Sequence, residues 1–284
     1  MTHVLYGKPV VMEMNTQMLK KVEVLKQQNV IPTLATLRVG NRGDDIAYEK
    51  GIVKRCEAVG IAVKKIILPE SVPQDQVIER IQAINEDHAV HGCLVFRPMP
   101  ETLDDEAICD ALAPEKDVDG ITQGSLAGVF TGKDRGYAPC TAVACMKILD
   151  YYGVELEGKR AVVIGRSLVI GKPVAMMLLA RHATVTMCHT RTKAMAAIAR
   201  HADILIAAAG HAGTVDQHFC HPGQVVIDVG INFSKEGKMV GDANFEEISD
   251  VHAAITPVPG GVGTVTTSVL AEHVIQAAEK TLKQ

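Results

Sequence analysis

Residues 161–179, AVVIGRSLVIGKPVAMMLL, read as a strand, a tight glycine turn and a helix. The apolar run Ala161 to Ile164 ends at Gly165, and helix-forming residues follow Lys172 and Pro173. A strand turning straight into a helix presents the helix's first backbone N–H groups to an anion, with the positive end of the helix dipole behind them. A phosphate is therefore expected to dock on this turn without a dedicated lysine. The spacing is GxSxxxG (Gly165, Ser167, Gly171) rather than the GxGxxG of the common dinucleotide turn, so an ordinary strand–helix turn still competes on these residues alone.

The next strand bears on that choice. ATVTMCH, residues 183–189, is followed by Thr190 and Arg191, where a site for NAD would set Asp or Glu against the ribose 2′-hydroxyl. With Arg166 and Ser167, these residues bring two guanidinium groups and two hydroxyls to the place of an adenosine 2′-phosphate, and no acid to repel it. The pattern favours NADP over NAD. Solvated surface arginines would give the same letters without a ligand.

The chain has 284 residues, enough for two domains of ordinary size, and a net charge of −4 with acids and bases intermixed. Nothing in that balance points to nucleic acid or a membrane surface. The N-terminus lacks a charged segment leading into an apolar run, no stretch reaches the roughly 18 apolar residues of a spanning helix, and a cytoplasmic protein is expected. Seven scattered cysteines (Cys56, Cys93, Cys109, Cys140, Cys145, Cys188, Cys220) form no CxxC pair and read as reduced thiols.

Along the chain, Met14, Met18, Val22 and Leu25 predict an amphipathic helix ending near Asn29. Strands over 31–39, 62–68 and 92–98 alternate with helices through Val59, after Pro73 and over 104–112, which makes a parallel α/β unit. Residues 114–136 show no periodic element and read as a crossing between domains. A long helix from Cys140 leads into the opening stretch, and further strands at 183–189, 203–209 and 224–229 predict a Rossmann-like sheet. The final apolar helix, from about Thr266, has no sheet of its own and is expected to pack on the first domain. The fold class is thus α/β with two domains: a Rossmann-like NADP-binding domain, residues 139–263, inserted between an N-terminal α/β catalytic domain and its C-terminal helix, residues 1–138 plus 264–284.

His211, His218 and His221 lie close in sequence, but their surroundings read as loop and no carboxylate completes a metal set, so no metal is expected. No GxSxG elbow or Walker lysine motif supports a hydrolase or a kinase. Asp117 and Asp119 in KDVDG have two readings. They are turn formers, or acids at a domain crossing that pair with the N–H and ring nitrogen of an aminopyrimidine.

With these pieces in place the chain closely resembles, over nearly its whole length, the FolD family of methylenetetrahydrofolate dehydrogenase/methenyltetrahydrofolate cyclohydrolases. The resemblance rests on Val39-Gly40, Tyr48 with CEAVG, PEKDVDG (114–120), APCTA (138–142), VVIGRSLVIGKPVA (162–175), ATVTMCHTRT (183–192), VIDVGIN (226–232) and ITPVPGGVG (255–263). It implies that Gly165, Arg166, Ser167, Thr190 and Ile231 hold NADP, with Arg191 beside them from the reading above. It also implies that Tyr48, Asp119 and the loop Pro259-Gly260-Gly261 face tetrahydrofolate one-carbon derivatives. Tyr48 would lie against the pterin and aminobenzoyl rings and Asp119 would bind the pterin edge, which makes these two the catalytic candidates. A homodimer joined through the nucleotide domain is implied as well.

Two departures matter more than the matches. Members that catalyse both reactions carry a lysine four residues after the tyrosine and a glutamine in a VQLPLP-like strand end. This chain has Ile52 and Phe96 there. Position 52 lies about 40° round the helix from Tyr48, whereas Lys50 and Lys54 lie about 160° and 120° away, so neither is expected to stand in. Smaller departures are Ala142 for a frequent proline and Thr264-Val265 for Pro-Met. Hydride loss from the methylene carbon leaves a cation shared by two nitrogens and needs chiefly placement, while hydrolysis needs a proton relay. The expectation is a dehydrogenase with very weak or absent cyclohydrolase activity. The alternatives are a bifunctional enzyme relaying through Asp119 and water, a dehydrogenase for another small substrate, and a folate- and nucleotide-binding protein without turnover.

Overall fold

Helix α1, Gly7–Gln27, buries Met14, Met18, Val22 and Leu25, one stripe at helical spacing. Strand β1, Thr33–Val39, follows and is buried along almost its whole length, as the middle strand of a parallel sheet must be. Helix α2, Gly43–Val59, ends on Gly60 at φ +81°, and the chain then forms β2, Ala62–Leu68, an edge strand with Lys64 and Lys65 exposed. Helix α3, Gln74–Glu86, strand β3, Gly92–Val95, and helix α4, Asp105–Asp110, complete a three-stranded parallel sheet of order β2-β1-β3. Leu37, Val39, Ile81, Val95 and Ile108 form its core.

Residues 114–136 are less irregular than their sequence suggests. They contain helix α5, Gln123–Thr131, opened by the Thr122 hydroxyl accepting from Ser125 N and closed on Gly132 in the left-handed region. Its buried face is small rather than greasy: Ser125 and Gly128. A Cβ on Gly128 would meet Arg135 O at 2.2 Å, so a helix-weakening glycine is needed for the following loop to lie against it. A search for apolar periodicity misses such a helix.

Helix α6, Cys140–Tyr151, leads to strand β4, Arg160–Ile164, helix α7, Gly171–Ala180, strand β5, Thr184–Cys188, helix α8, Met195–Ala199, strand β6, Ile204–Ala207, and strand β7, Val225–Asp228. A hairpin of β8, Asn232–Phe233, and β9, Met239–Val240, follows, then α9, Phe245–Asp250, β10, Ala254–Ile255, and helix α10, Val262–Thr281. The five-stranded parallel sheet has the order β10-β7-β6-β4-β5, so the strand order reverses at β4 and β6. In an open parallel sheet that reversal is where a ligand crevice forms, outside the carboxyl ends of the strands. The fifth strand, β10, is two residues long and escaped the sequence reading.

The computed structural model describes residues 3–282. By contact the chain divides into one unit of Glu13–Cys140 with Thr267–Gln284 and another of Met1–Met12 with Thr141–Thr266. The N-terminal dozen residues were expected with the first domain, but they group with the nucleotide unit: Val4 bridges Ile255, and Leu5 N donates to Ile255 O at 2.9 Å. Backbone pairing to β10, a strand with no sequence signature, explains the difference. The last helix also begins at Val262, before Thr266. No helix among the described residues is long and apolar enough to cross a membrane.

Candidate active site

In the unit of Glu13–Cys140, the carboxyl ends of β1 and β3 set one cluster. Phe96 leaves β3 with its N–H donated to Leu37 O on β1 at 2.9 Å, and its ring meets Tyr48 of α2 edge-on, centroids 6.1 Å apart at 78°. Tyr48 is 42% exposed, whereas Phe96 is 5% and Ile52, one turn along α2, 1% exposed. Lys50 and Lys54 are exposed. The positions of the two departures are therefore filled by packed hydrocarbon.

The two acids of KDVDG divide the alternatives between them. Asp117 is fully buried and accepts from the N–H groups of Gly120, Ile121 and Thr122 at 2.8–3.0 Å, which makes it a turn former. The Asp119 carboxyl interacts instead with the Cys140 thiol, Tyr48 and Arg97. Burial pushes the Asp119 carboxyl up to about 6, with the Asp117 charge adding, while the thiol hydrogen bond and Arg97 oppose. Burial, then the Asp119 charge, raises Cys140 well above the ordinary thiol range and Tyr48 above the ordinary phenol range, so both stay protonated donors at neutral pH. A carboxyl that exchanges its proton near neutrality, flanked by two donors and an open tyrosine face, can recognise a planar ring bearing adjacent N–H and nitrogen groups.

The raised carboxyl gives a stability test. The folded state holds the Asp119 proton up to about pH 6 while an unperturbed carboxyl releases it near 3.8, so folding stability falls as pH rises through that window. Asp228, also pushed up to about 6 by burial, contributes in the same window. Asp119→Asn is expected to raise Tm at pH 7 and to remove part, not all, of the decline between about pH 4 and 6. Scanning calorimetry across pH checks this, and an unchanged profile would contradict it.

In the other unit, Gly165 sits at φ +125°, and a Cβ there would meet Ala208 O at 2.1 Å where the turn after β4 passes the end of β6. That is the sheet's reversal point. Arg166 and Ser167 are exposed on the turn, Thr190 and Arg191 on the turn after β5, and Ile231 is 62% exposed beyond β7. Two carboxylates shape the Ile231 loop: Asp228 accepts from Gly230, Asp242 and Ala243 N–H, and Asp242 from Gly210 N and Asn232 Nδ2. Neither was singled out in the sequence. Lys193, exposed two residues past Arg191, was also overlooked.

Two donors at the start of α7 are committed or missing: Lys172 N donates to Ser167 O at 3.0 Å and Pro173 has no N–H, and just before the helix Ile170 N donates to Ser167 Oγ at 3.2 Å. Proline in the first turn and a serine that caps the turn itself withdraw part of the donors that the strand–helix turn would otherwise offer. Side chains must carry more of any phosphate binding.

Pro259, Gly260 and Gly261 lie in the same unit as this turn, with Gly260 at φ +111° and Gly260 O accepting from Gly7 N at 2.8 Å. Tyr48 and Asp119 belong to the other unit. His221 places its ring nitrogens at the carbonyls of Pro222 and Ala202, 2.8 and 3.0 Å away, and His211 and His218 are exposed.

A doubly wound parallel sheet with an open glycine turn at its reversal point defines the nucleotide-binding class of α/β proteins. The chain belongs to the tetrahydrofolate dehydrogenase/cyclohydrolase family: the family's catalytic domain matches residues 5–119 and its NAD(P)-binding domain residues 139–282. A relative from Alkaliphilus oremlandii, the bifunctional protein FolD, is 47% identical over 98% of this chain and 97% of its own. The bifunctional FolD enzyme of Campylobacter jejuni, a methylenetetrahydrofolate dehydrogenase/cyclohydrolase, superposes with TM-score 0.96 at 37% identity, covering 99% of this chain and 100% of the other. The Trypanosoma brucei enzyme, solved with NADP and an inhibitor, gives TM-score 0.91 at 33% identity, covering 100% and 99%.

Proposed function

We propose that this chain oxidises 5,10-methylenetetrahydrofolate to 5,10-methenyltetrahydrofolate with NADP+, and that it hydrolyses the methenyl product very slowly or not at all. Tyr48 and Asp119 bind the pterin side of the folate, with Pro259, Gly260 and Gly261 also facing it. Gly165, Arg166, Ser167, Thr190, Arg191 and Ile231 hold the nucleotide. The fit is supported by the chemistry of the two turns: no acid stands in 165–171 or 189–193, both arginines are exposed, and Ser167 Oγ, accepting from Ile170 N, keeps its O–H to donate. Bound NADP+ supplies a hydride acceptor. The substrate's two nitrogens stabilise the cation left behind, so the protein's part in oxidation is to hold and orient.

The observation that carries the narrower claim is that Ile52 and Phe96, 1% and 5% exposed, are hydrocarbon where a relay would need a lysine and an amide. Ring opening adds water to the bridging carbon and shifts protons before a C–N bond breaks, and neither side chain donates or accepts. Purified protein given methenyltetrahydrofolate alone is expected to clear it at the uncatalysed rate. A clear enzyme-dependent acceleration would overturn the claim.

A second reading is favoured by the Asp119 carboxyl, pushed up to about 6: a bifunctional enzyme relaying protons through Asp119 and water. On that reading hydrolysis is present and Asp119→Asn abolishes it. The same family reading makes the protein a homodimer, supported by apolar surface at Phe233 and Met239, 68% and 39% exposed on the β8–β9 hairpin.

A further inference from the structure

The loop carrying Asp119 is gripped from two helices. His273 of α10 places Nδ1 2.8 Å from Val118 O, and Cys140, the first residue of α6, places Sγ 3.3 Å from the same oxygen, with Sγ and Nδ1 3.8 Å apart. A carbonyl oxygen only accepts, so the proton of Nδ1 is directed at Val118 O and that nitrogen is not an acceptor for the thiol. The thiol proton is directed at Val118 O, with the Asp119 carboxyl close enough to be influenced by the thiol. The His273 ring is in turn stacked on Tyr137, centroids 5.0 Å apart at 35°, with Lys280 Nζ 5.1 Å from the Tyr137 centroid on the far end of α10. Cys140 N donates to Asp119 O at 3.4 Å, so the backbone on both sides of the Asp119 side chain is tied.

We propose that Cys140 and His273 are positioning residues for Asp119: two donors converging on the Val118 carbonyl fix residues 117–120 and with them the Asp119 carboxyl. The inference rests on the reading that Asp119 binds the folate. Neither group touches substrate in this scheme. The groups facing Asp119 are Asp117 from its own loop, Arg97 after β3, Tyr48 from α2 and Cys140 from α6, with His273 of α10 acting through Val118. Burial keeps the Cys140 thiol protonated, which makes it a permanent donor across neutral pH. Its loss leaves the carboxyl with a like charge and less to offset it.

The experiment uses the full-length protein with ¹³C-labelled aspartate. The Asp119 carboxyl carbon, assigned by its absence in Asp119→Asn, is titrated in wild type, Cys140→Ala, Cys140→Ser, His273→Ala and His273→Asn. Cys140→Ala is expected to move the titration upward by about half a pH unit and to raise the KM for methylenetetrahydrofolate by about three- to tenfold, with the KM for NADP+ within about twofold. The serine hydroxyl replaces the thiol donor, so Cys140→Ser should return both toward wild type. His273→Ala should raise the folate KM alone, and His273→Asn, whose amide N–H can reach Val118 O, should restore it. An Asp119 titration unmoved in Cys140→Ala, or a serine and an asparagine variant no better than the alanines, would overturn the clamp. A titration that moves while the folate KM does not would uphold the clamp and sink the folate role of Asp119.

Discussion

Arg166→Ala is expected to raise the KM for NADP+ by roughly 10- to 150-fold while moving the KM for NAD+ by less than about threefold, since a charge-assisted hydrogen bond is worth about 1.5–3 kcal/mol. The asymmetry follows from what the turn has left to offer. Lys172 N and Ile170 N are spent inside the turn on Ser167, and Pro173 brings no donor. A helix terminus with part of its donors withdrawn leans more on side chains for phosphate, and Arg166 and Arg191 are the exposed guanidinium groups of the two turns. A 2′-phosphate carries most of its charge at neutral pH, whereas the 2′-hydroxyl of NAD+ meets Arg166 as a neutral partner. Initial-rate kinetics with both nucleotides separate the cases. Equal losses for the two would show that Arg166 serves the shared pyrophosphate instead, and the assignment to NADP would lose its main support.

Much of the fold was legible because its signals are local. Strand β1 announces itself by Leu34, Ala35, Leu37 and Val39 between Pro32 and Gly40, and Gly165 between Ile164 and a helix former needs no tertiary context to be read as a turn. What escaped was structure whose cause lies elsewhere in the chain. Helix α5 is held by a Thr122 cap and by two small residues that let Arg135 approach, and neither produces apolar periodicity. Strand β10 has two residues and exists because β7 and Val4 lie beside it. At the site, the spacing of Asp117 and Asp119 was visible, but which was the turn former was not. That depends on three N–H groups aimed at one carboxyl and a thiol from residue 140 close to the other. His273 gave no signal at all, being 133 residues from the thiol it lies beside. The exposure of Lys50 and Lys54 was legible too, since the angular spacing that sets them away from Tyr48 is a property of any α-helix.

Restoring both polar groups should do what restoring one does not. Ile52→Lys alone is expected to leave methenyltetrahydrofolate hydrolysis within about tenfold of wild type, whereas Ile52→Lys with Phe96→Gln should raise it by about 10²-fold or more, the lower range of general acid–base catalysis. At position 52 the new ammonium replaces one of the largest fully buried side chains, one helical turn from Tyr48, whose ring meets Phe96 edge-on. Desolvation there favours the neutral amine and the helix must accommodate an unpaired polar head, so the single variant should also lower Tm. Glu49 does not rescue it: that carboxylate is already committed to Thr36 Oγ1 at 2.8 Å and to Arg38, 3.7 Å away. A glutamine at 96 supplies a carbonyl acceptor for the ammonium and an amide donor, replacing the edge-on ring against Tyr48, and a hydrogen-bonded lysine can then pass a proton at neutral pH. Dehydrogenase activity should survive in both variants, since oxidation asks these positions only to keep the pocket's shape. Following the absorbance of methenyltetrahydrofolate with and without NADP+ reads the two half-reactions apart. Full hydrolysis in the single variant would mean that a partner other than residue 96 completes the relay, with Asp119 the first to test.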